Sequence, residues 1–446
     1  MIDFCPPWAL RTALALVVVS PLVTPAFEAP TLAARQAPPQ RVVAVGDVHG
    51  AYEGFVEILQ TAGLVDAKLR WTRGATVFVQ TGDIFDRGPK VREALDLLIR
   101  LEDEARRAGG RLEFLLGNHE TMNIFHEFRD ASPAAYAGFA DSRSEARRQR
   151  AFEDYVRLVK RRATPGEAPP VRDAWMATHP PGFLEYVDAI GPRGKYGRWL
   201  RAHKVVTTVG RTAFMHAGIN SEFTGTFDDI NRTAAREIAE WDATLAAMVK
   251  AQIVPVYCTL PEAVEAAVAE LQRISAALQA NAPPGDHVTK EFVEQLQALL
   301  AIGKSSLFEP EGPLWFRGFA QWPDTPETVT GQLTPLLTRF GVDRFVTGHT
   351  PSQSGRVVSR FDNRLILIDS GMVFKGGRPS AVELLGGRIT AIYPDSQTPL
   401  ASGGPYSARV FRRDTSPADD PPAFAGASVN GERHAAAATL SALSRY

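Results

Sequence analysis

The chain has 446 residues, a formal net charge of -1, 45% hydrophobic residues and 22% charged residues. That length admits one large domain or two ordinary ones, and the composition is that of a globular protein able to bury a sizeable core. The balanced charge argues against the strongly basic field of a nucleic-acid binder.

Residues 13–23 form an apolar run after Arg11, and small residues and prolines follow. This is the pattern of a secretory signal peptide, and the run is too short to span a bilayer as a mature helix. We expect residues 1–34 to be a signal segment, with cleavage near Ala26, Ala29 or Ala34. Export follows, to a bacterial periplasm, with no stable membrane span after cleavage. The alternative is an uncleaved anchor, because Asp3 opposes Arg11. Cys258 would be the sole cysteine left, so no internal disulfide is expected.

The folded region opens at Arg41, after Pro38-Pro39. Residues 42–45, 77–79 and 112–116 are short apolar runs that read as buried strands. Between them, Tyr52, Phe55, Ile58, Leu59 and Ala62 recur at helical spacing. Val91, Ala94, Leu95, Leu98 and Leu101 do the same, up to a stop at Gly109-Gly110. Alternating strands and helices indicate parallel βαβ units, and residues 122–128 read as a short helix. The segments 130–203 and 228–304 break the alternation and read as helical insertions. The first has a Pro-rich loop at 164–170, and its Arg-rich stretch 143–162 interleaves acids like a solvated helix. The second has an amphipathic run at 261–280, and neither insertion carries a metal-type cluster. Strand-like runs return at 212–215, 344–346 and 365–368, and 382–393 reads as a hairpin about Gly386-Gly387. The domain is expected to cover 41–398, and the Ser-, Ala-, Gly- and Pro-rich segment 399–446 to be a disordered tail.

Polar strings follow the first three strands: Gly46-Asp47-Val48-His49-Gly50, Gly82-Asp83-Ile84-Phe85-Asp86-Arg87-Gly88 and Gly117-Asn118-His119-Glu120. His216 and His349 follow later strand-like runs. Open α/β sheets gather ligands beyond the C-terminal ends of their strands. Asp47, His49, Asp83, Asn118, His216 and His349 are therefore expected in one small volume. Carboxylate, imidazole and amide together suit Zn, Fe, Mn or Ni. Six such groups are too many for one ion that keeps an open position. They suit two ions sharing a bridging Asp, an arrangement fit for in-line attack on phosphorus. Read one string at a time, the same residues could be loop starts and helix caps. His179, His203, His287 and His434 show no partner pattern, His126 on the short helix near the site reads as structural with support of the site as the alternative, and Asp369 either supports the site or caps a turn.

These strings, with Met215-His216-Ala217-Gly218 and Thr347-Gly348-His349-Thr350-Pro351, resemble the calcineurin-like metallophosphoesterase superfamily and its phosphoprotein phosphatase branch. Thr121-Met122-Asn123, the segment from Gly312 through Trp315-Phe316-Arg317-Gly318, and Ile368-Asp369-Ser370-Gly371-Met372 make the bacterial Shewanella-like protein phosphatases the most similar group. The resemblance spans residues 41–395. It implies an α/β sandwich of two mixed β-sheets flanked by helices, with helical insertions.

It also implies roles. Asp47 and His49 would bind a first metal, Asp83 would bridge, and Asn118, His216 and His349 would bind a second. The metals would be two of Mn, Fe or Zn. His119 would be the general acid, with Asp86 holding its imidazole; the alternative for Asp86 is a surface carboxylate paired with Arg87. Arg87 and Arg317 would clamp the phosphate, although the Trp-Phe pair before Arg317 also fits plain core packing. The implied activity is that of a metal-dependent phosphoric monoester hydrolase, a protein phosphatase acting by direct attack of a metal-bridging hydroxide. Phosphotyrosine in a phosphoprotein is the preferred substrate. A Ser/Thr protein phosphatase and a dinucleoside polyphosphate hydrolase of the same superfamily are the alternatives. The Ser-Ala-Pro-Asn-Tyr loop of eukaryotic Ser/Thr members is missing near 368–372, which points away from a Ser/Thr preference. Trp315 or Phe316 is expected to pack on an aryl ring of the substrate.

Overall fold

The computed structural model describes residues 40–162 and 168–400. The expected signal segment, the tail past residue 400 and residues 163–167, which include part of the Pro-rich loop, lie outside the described residues.

Among the described residues there are eleven strands: β1 (Val42–Val45), β2 (Val77–Gln80), β3 (Arg111–Phe114), β4 (Val206–Val209), β5 (Thr212–Met215), β6 (Arg344–Thr347), β7 (Val358–Arg360), β8 (Leu365–Leu367), β9 (Ala381–Leu385), β10 (Arg388–Tyr393) and β11 (Ser396–Pro399). They form two sheets, ordered β11-β10-β9-β1-β2-β3 and β4-β5-β6-β8-β7. Both sheets are mixed. β1, β2 and β3 run parallel, and β9 joins β1 antiparallel. β5, β6 and β8 run parallel, with β4 and β7 antiparallel at the edges.

Side chains alternate across each strand, and the two faces meet different cores. Val42, Ala44, Val77 and Val79 of the first sheet pack between the sheets with Phe214, Val346 and Ile366 of the second. Val43, Val45, Phe78, Ala213, Met215 and Phe345 point the other way, into the core under the helices. Strands buried on both faces have no polar side to show, which is why their sequences read as unbroken apolar runs.

Helices α1 (Tyr52–Thr61) and α2 (Val91–Arg107) lay Phe55, Ile58 and Leu59, and Val91, Ala94, Leu95, Leu98 and Leu101, on the first sheet. Helix α3 (Asn118–Ile124) corrects the expected helix at 122–128. It starts at the motif itself, because the Glu120 carboxylate accepts the Gly117 N–H and closes its first turn. It ends early, because His126 adopts a left-handed φ of 60°. Five helices follow in the first insertion: α4 (Pro133–Ala137), α5 (Ser144–Arg162), α6 (Arg172–Thr178), α7 (Phe183–Ile190) and α8 (Lys195–Arg201). The second holds α9 (Phe227–Lys250), α10 (Leu260–Gln279) and α11 (Lys290–Leu300). Thr226 and Thr259 cap α9 and α10 by accepting the Asp229 and Glu262 N–H groups. Among the described residues no helix is long and apolar enough to cross a membrane.

The second insertion grips the far end of α3. Trp241 Nε1 donates to the Ile124 carbonyl at 2.8 Å. His126 Nδ1 donates to the Cys258 carbonyl at 2.8 Å, and the His126 carbonyl accepts the Leu260 N–H at 2.9 Å. Carbonyls left over at a helix C-terminus thus find partners in the insertion. Burial pushes the His126 imidazole down to about 4, and the Cys258 carbonyl only partly opposes it. The unfolded value lies near 6.5, so the fold favours the neutral ring. Its contribution is complete above about pH 6.5 and declines as pH falls toward 4. Urea unfolding should therefore show roughly 2 kcal/mol lost to this group between pH 7 and pH 5. His126→Asn keeps a residue tolerant of the left-handed backbone and should flatten that part of the pH slope. An unchanged slope would place the acid sensitivity elsewhere.

Candidate metal centre

The motif residues occupy the turns that leave β1, β2, β5 and β6 and the first turn of α3. Asp47, His49, Asp83, Asp86, Asn118, His119, His216 and His349 are all buried. Asp83 lies at the middle. One of its carboxylate oxygens, Oδ2, is 3.5 Å from His49 Nε2 and 3.3 Å from His216 Nε2. Asn118 Oδ1 lies 2.7 Å from His216 Nε2 and 3.2 Å from His349 Nδ1. Asp47 is 4.0 Å from His49 Nε2 and accepts the His349 N–H at 3.0 Å. Two groups could each hold an ion: His49, Asp83 and His119, and Asp83, His216 and His349. Asp83 belongs to both. The first group contains His119 where the sequence reading has Asp47.

Backbone carbonyls aim the rings. His49 Nδ1 bonds the Phe85 carbonyl at 2.7 Å and His216 Nδ1 the Thr81 carbonyl at 2.9 Å, leaving Nε2 of each toward Asp83. His349 is reversed. Its Nε2 meets the Trp315 carbonyl at 3.3 Å and its Nδ1 faces Asn118. An imidazole that donates one N–H to a carbonyl presents a lone pair at the other nitrogen, as metal ligands do. Burial and Arg87 hold His49 well below the usual histidine range; burial and Arg317 do the same to His349. Both are then neutral, as ligation requires. Burial pulls His216 down, but Asp83 outweighs it and the ring rises to about 9. Burial and Asp369 raise Asp47 well above the carboxylate range. Carboxylates this close in a dry site favour a neighbouring positive charge. Arg87 Nη1 already stands 2.7 Å from His49 Nε2.

His119 differs from the other rings. Its Nδ1 bonds Asp86 Oδ2 at 2.6 Å, and its Nε2 faces Asp83 Oδ2 at 3.9 Å. Burial lowers its pKa, yet Asp83 and Asp86 outweigh burial and the net shift is upward. Asp86 is no surface carboxylate. Asn123 Nδ2 donates to both its oxygens at 3.0 Å, and the Tyr186 hydroxyl of α7 donates to Asn123 Oδ1. The first insertion thus reaches the His119–Asp86 pair through two side chains.

Arg87 and Arg317 are half-buried beside these groups, and Arg317 Nη1 donates to Thr350 Oγ1 at 3.2 Å. Trp315 and Phe316 are 2% and 7% exposed, which corrects the expectation that either offers a ring to substrate. Trp315 instead supplies its carbonyl to His349 and donates Nε1 to the Leu307 carbonyl at 2.8 Å. Asp369 is buried, accepts the Gly371 N–H at 2.8 Å, and is pushed up to about 6 chiefly by burial.

Sequence reasoning missed Glu120. Its Oε2 accepts the Gly117 and Asp83 N–H groups and its Oε1 the Ile84 N–H, each at 2.7 Å. Burial and Asp83 push its carboxyl up to about 7, against the pull of those donors. Its signal is weak in sequence, because the glutamate stands at the third helical position but glycine replaces the Ser or Thr of a capping box. Asn123 was visible in sequence only as part of a resemblance.

Five non-glycine residues here, His49, Asp83, Asp86, Arg87 and His349, have left-handed backbones, with φ between 48° and 71°. Such conformations persist where surrounding structure over-determines them, and they cluster at functional sites.

A two-layer α/β sandwich that collects carboxylates, imidazoles and an amide at its strand ends defines the class: a metal-dependent hydrolase of phosphoesters. Residues 40–237 match the family model of the calcineurin-like phosphoesterases. It is 26% identical over 339 residues to an uncharacterized protein of Schizosaccharomyces pombe, covering 75% of this chain and 74% of that one. It is 34% identical over 196 residues to Shewanella-like protein phosphatase 2 of Arabidopsis thaliana. That match takes in 41% of this chain and 48% of the plant protein, about half its length. Among solved structures, the cold-active protein-tyrosine phosphatase of a psychrophilic Shewanella species superposes with a TM-score of 0.52. It is 24% identical, with 81% of this chain and 80% of that chain covered, a likeness of fold.

Gly348 shows how tightly the centre is packed. A Cβ there would stand 2.2 Å from Asp47 Oδ1. Gly348→Ala should therefore displace Asp47 and lower the bound metal found by elemental analysis, with far-UV circular dichroism unchanged. Wild-type metal content in this variant would remove Asp47 from the ligand set.

Proposed function

We propose that the chain is a dinuclear phosphomonoesterase acting on phosphoproteins, with phosphotyrosine preferred. One observation carries the reading: a single Asp83 oxygen lies within 3.5 Å of imidazoles from two separate groups, with the His119–Asp86 pair beside it. Asp47 and His49 would hold one ion, Asn118, His216 and His349 the other, and Asp83 both. The donor set suits Mn, Fe or Zn. When bound, the ions supply an activated water and neutralise charge on the phosphoryl oxygens. Arg87 and Arg317 orient those oxygens through planar donors. His119, kept protonated by its acidic neighbours, gives its proton to the departing oxygen, and Asp86 fixes the ring while this happens. The protein-phosphatase names of the plant relative and of the Shewanella structure agree with a phosphoprotein substrate.

Two measurements test this. Metal-loaded protein should hydrolyse phosphotyrosine peptides with higher kcat/KM than matched phosphoserine peptides, and leave diadenosine tetraphosphate intact. Equal or reversed peptide efficiencies would sink the preference, and cleavage of the dinucleotide would favour the nucleotide-hydrolase alternative. His119→Asn should retain metal and lose ~10²–10⁴ in turnover on alkyl phosphates. The loss should shrink on nitrophenyl phosphate, whose leaving group needs little protonation. Identical losses on both would remove His119 from the acid role.

A further inference from the structure

We infer that Phe374 is the residue that recognises the aryl group of the substrate; this rests on the reading of Arg87 as a phosphate ligand. Among the described residues the exposed large hydrophobic side chains are Val171, Val256 and Phe374, and Phe374, 43% exposed, is the aromatic one. Val171 and Val256 belong to the insertions. Phe374 instead sits on the loop between β8 and β9, and the Arg87 guanidinium carbon lies 5.1 Å from its ring centroid. The same guanidinium touches His49 Nε2 at 2.7 Å. The exposed ring is therefore separated from the buried centre by one side chain, and that side chain is the one placed to hold phosphate.

The chemistry of the ester decides what this ring can meet. In an aryl phosphate the ring is joined to phosphorus through a single oxygen. A phosphate held by Arg87 brings the substrate ring into the neighbourhood of a ring that already packs on Arg87, and aromatic pairs form at centroid separations of about 4.5–7 Å. A seryl phosphate brings only a methylene there.

Hydrogen bonds close the backbone of the loop that carries the ring. The Phe374 N–H donates to the Gly371 carbonyl at 2.8 Å, and the Phe374 carbonyl accepts the Gly377 N–H at 3.0 Å. At the neck, Ser370 Oγ donates to the Arg378 carbonyl at 2.7 Å and lies 2.7 Å from Ser380 Oγ. Gly377 passes so close to Gly371 that a Cβ would fall 1.7 Å from its carbonyl oxygen. Phe374 takes the aryl contact in place of Trp315 and Phe316, which the fold buries.

The test uses the full metal-loaded chain and non-hydrolysable probes, phenylphosphonate and methylphosphonate, by calorimetry. Phe374→Ala should weaken phenylphosphonate about twofold to tenfold and leave methylphosphonate unaltered, and Phe374→Trp should restore the phenyl preference. Equal weakening of both probes would overturn the inference, because the ring would then serve only to steady Arg87. So would no change in either. Turnover of nitrophenyl phosphate by the wild type is a separate arm. A phenyl preference that depends on Phe374 in a protein without turnover would sink the phosphatase reading and keep the aryl site. Turnover with no such dependence would sink the aryl site alone.

Discussion

The Glu120 carboxylate binds three backbone N–H groups, from Gly117, Asp83 and Ile84. Those groups belong to different parts of the chain: the turn after β2 and the start of α3. The bonds therefore set the distance between Asp83 and the pair Asn118–His119. Asp83 also accepts the His119 N–H at 3.1 Å, which closes the same link a second time. Every ring of the centre is arranged about Asp83. If the turn shifted by the length of one hydrogen bond, both candidate ion positions would lose their shared oxygen. The carboxylate that does this touches no solvent, and in a dry site such bonds are strong because nothing competes for the donors.

The helical insertions take part in this arrangement from outside the sheets. One caps the C-terminal end of α3 through Trp241 and His126; the other reaches Asp86 through Tyr186 and Asn123. The helix that carries Asn118 and His119 is therefore held at its start by Glu120 and at its end by the second insertion. Opposed charge shifts follow from position on this frame. Burial, reinforced by a nearby arginine, holds His49 and His349 below the usual histidine range, whereas carboxylates outweigh burial at His119 and His216 and both rise.

Legibility in the sequence followed burial. The central strands β1, β2, β5, β6 and β8 are apolar on both faces, and their runs stand out with no knowledge of the fold. Three of the four edge strands do not: β4, β7 and β11 lie at the ends of the sheets, and β11 is exposed along its whole length. Their residues are fixed by pairing with a neighbour, which local pattern does not show. At the site, the polar strings named the residues that gather there, because a strand end leaves a polar side chain little choice of place. The start of α3 was hidden, because Asn118, His119 and Glu120 have the look of a loop while their backbone is already helical. Which aromatics are exposed was also beyond reach. Trp315-Phe316 and Phe374 are equally apolar in sequence, and only the tertiary fold buries the first two and turns the third outward.

The left-handed backbones at the centre have a consequence for how such a chain can change. A non-glycine residue in that region carries on the order of 1–3 kcal/mol of strain, less for Asp and His, whose side chains tolerate it better than an arginine does. Arg87 at φ 62° is thus the most burdened of the five. Selection for thermal robustness alone would replace it with glycine or asparagine and relax the turn. Any drift of this chain toward greater heat resistance that retains Arg87 must find its gains in the sheets and insertions. A lineage that has abandoned catalysis should show its first relaxation at this turn, well before the apolar strands begin to vary.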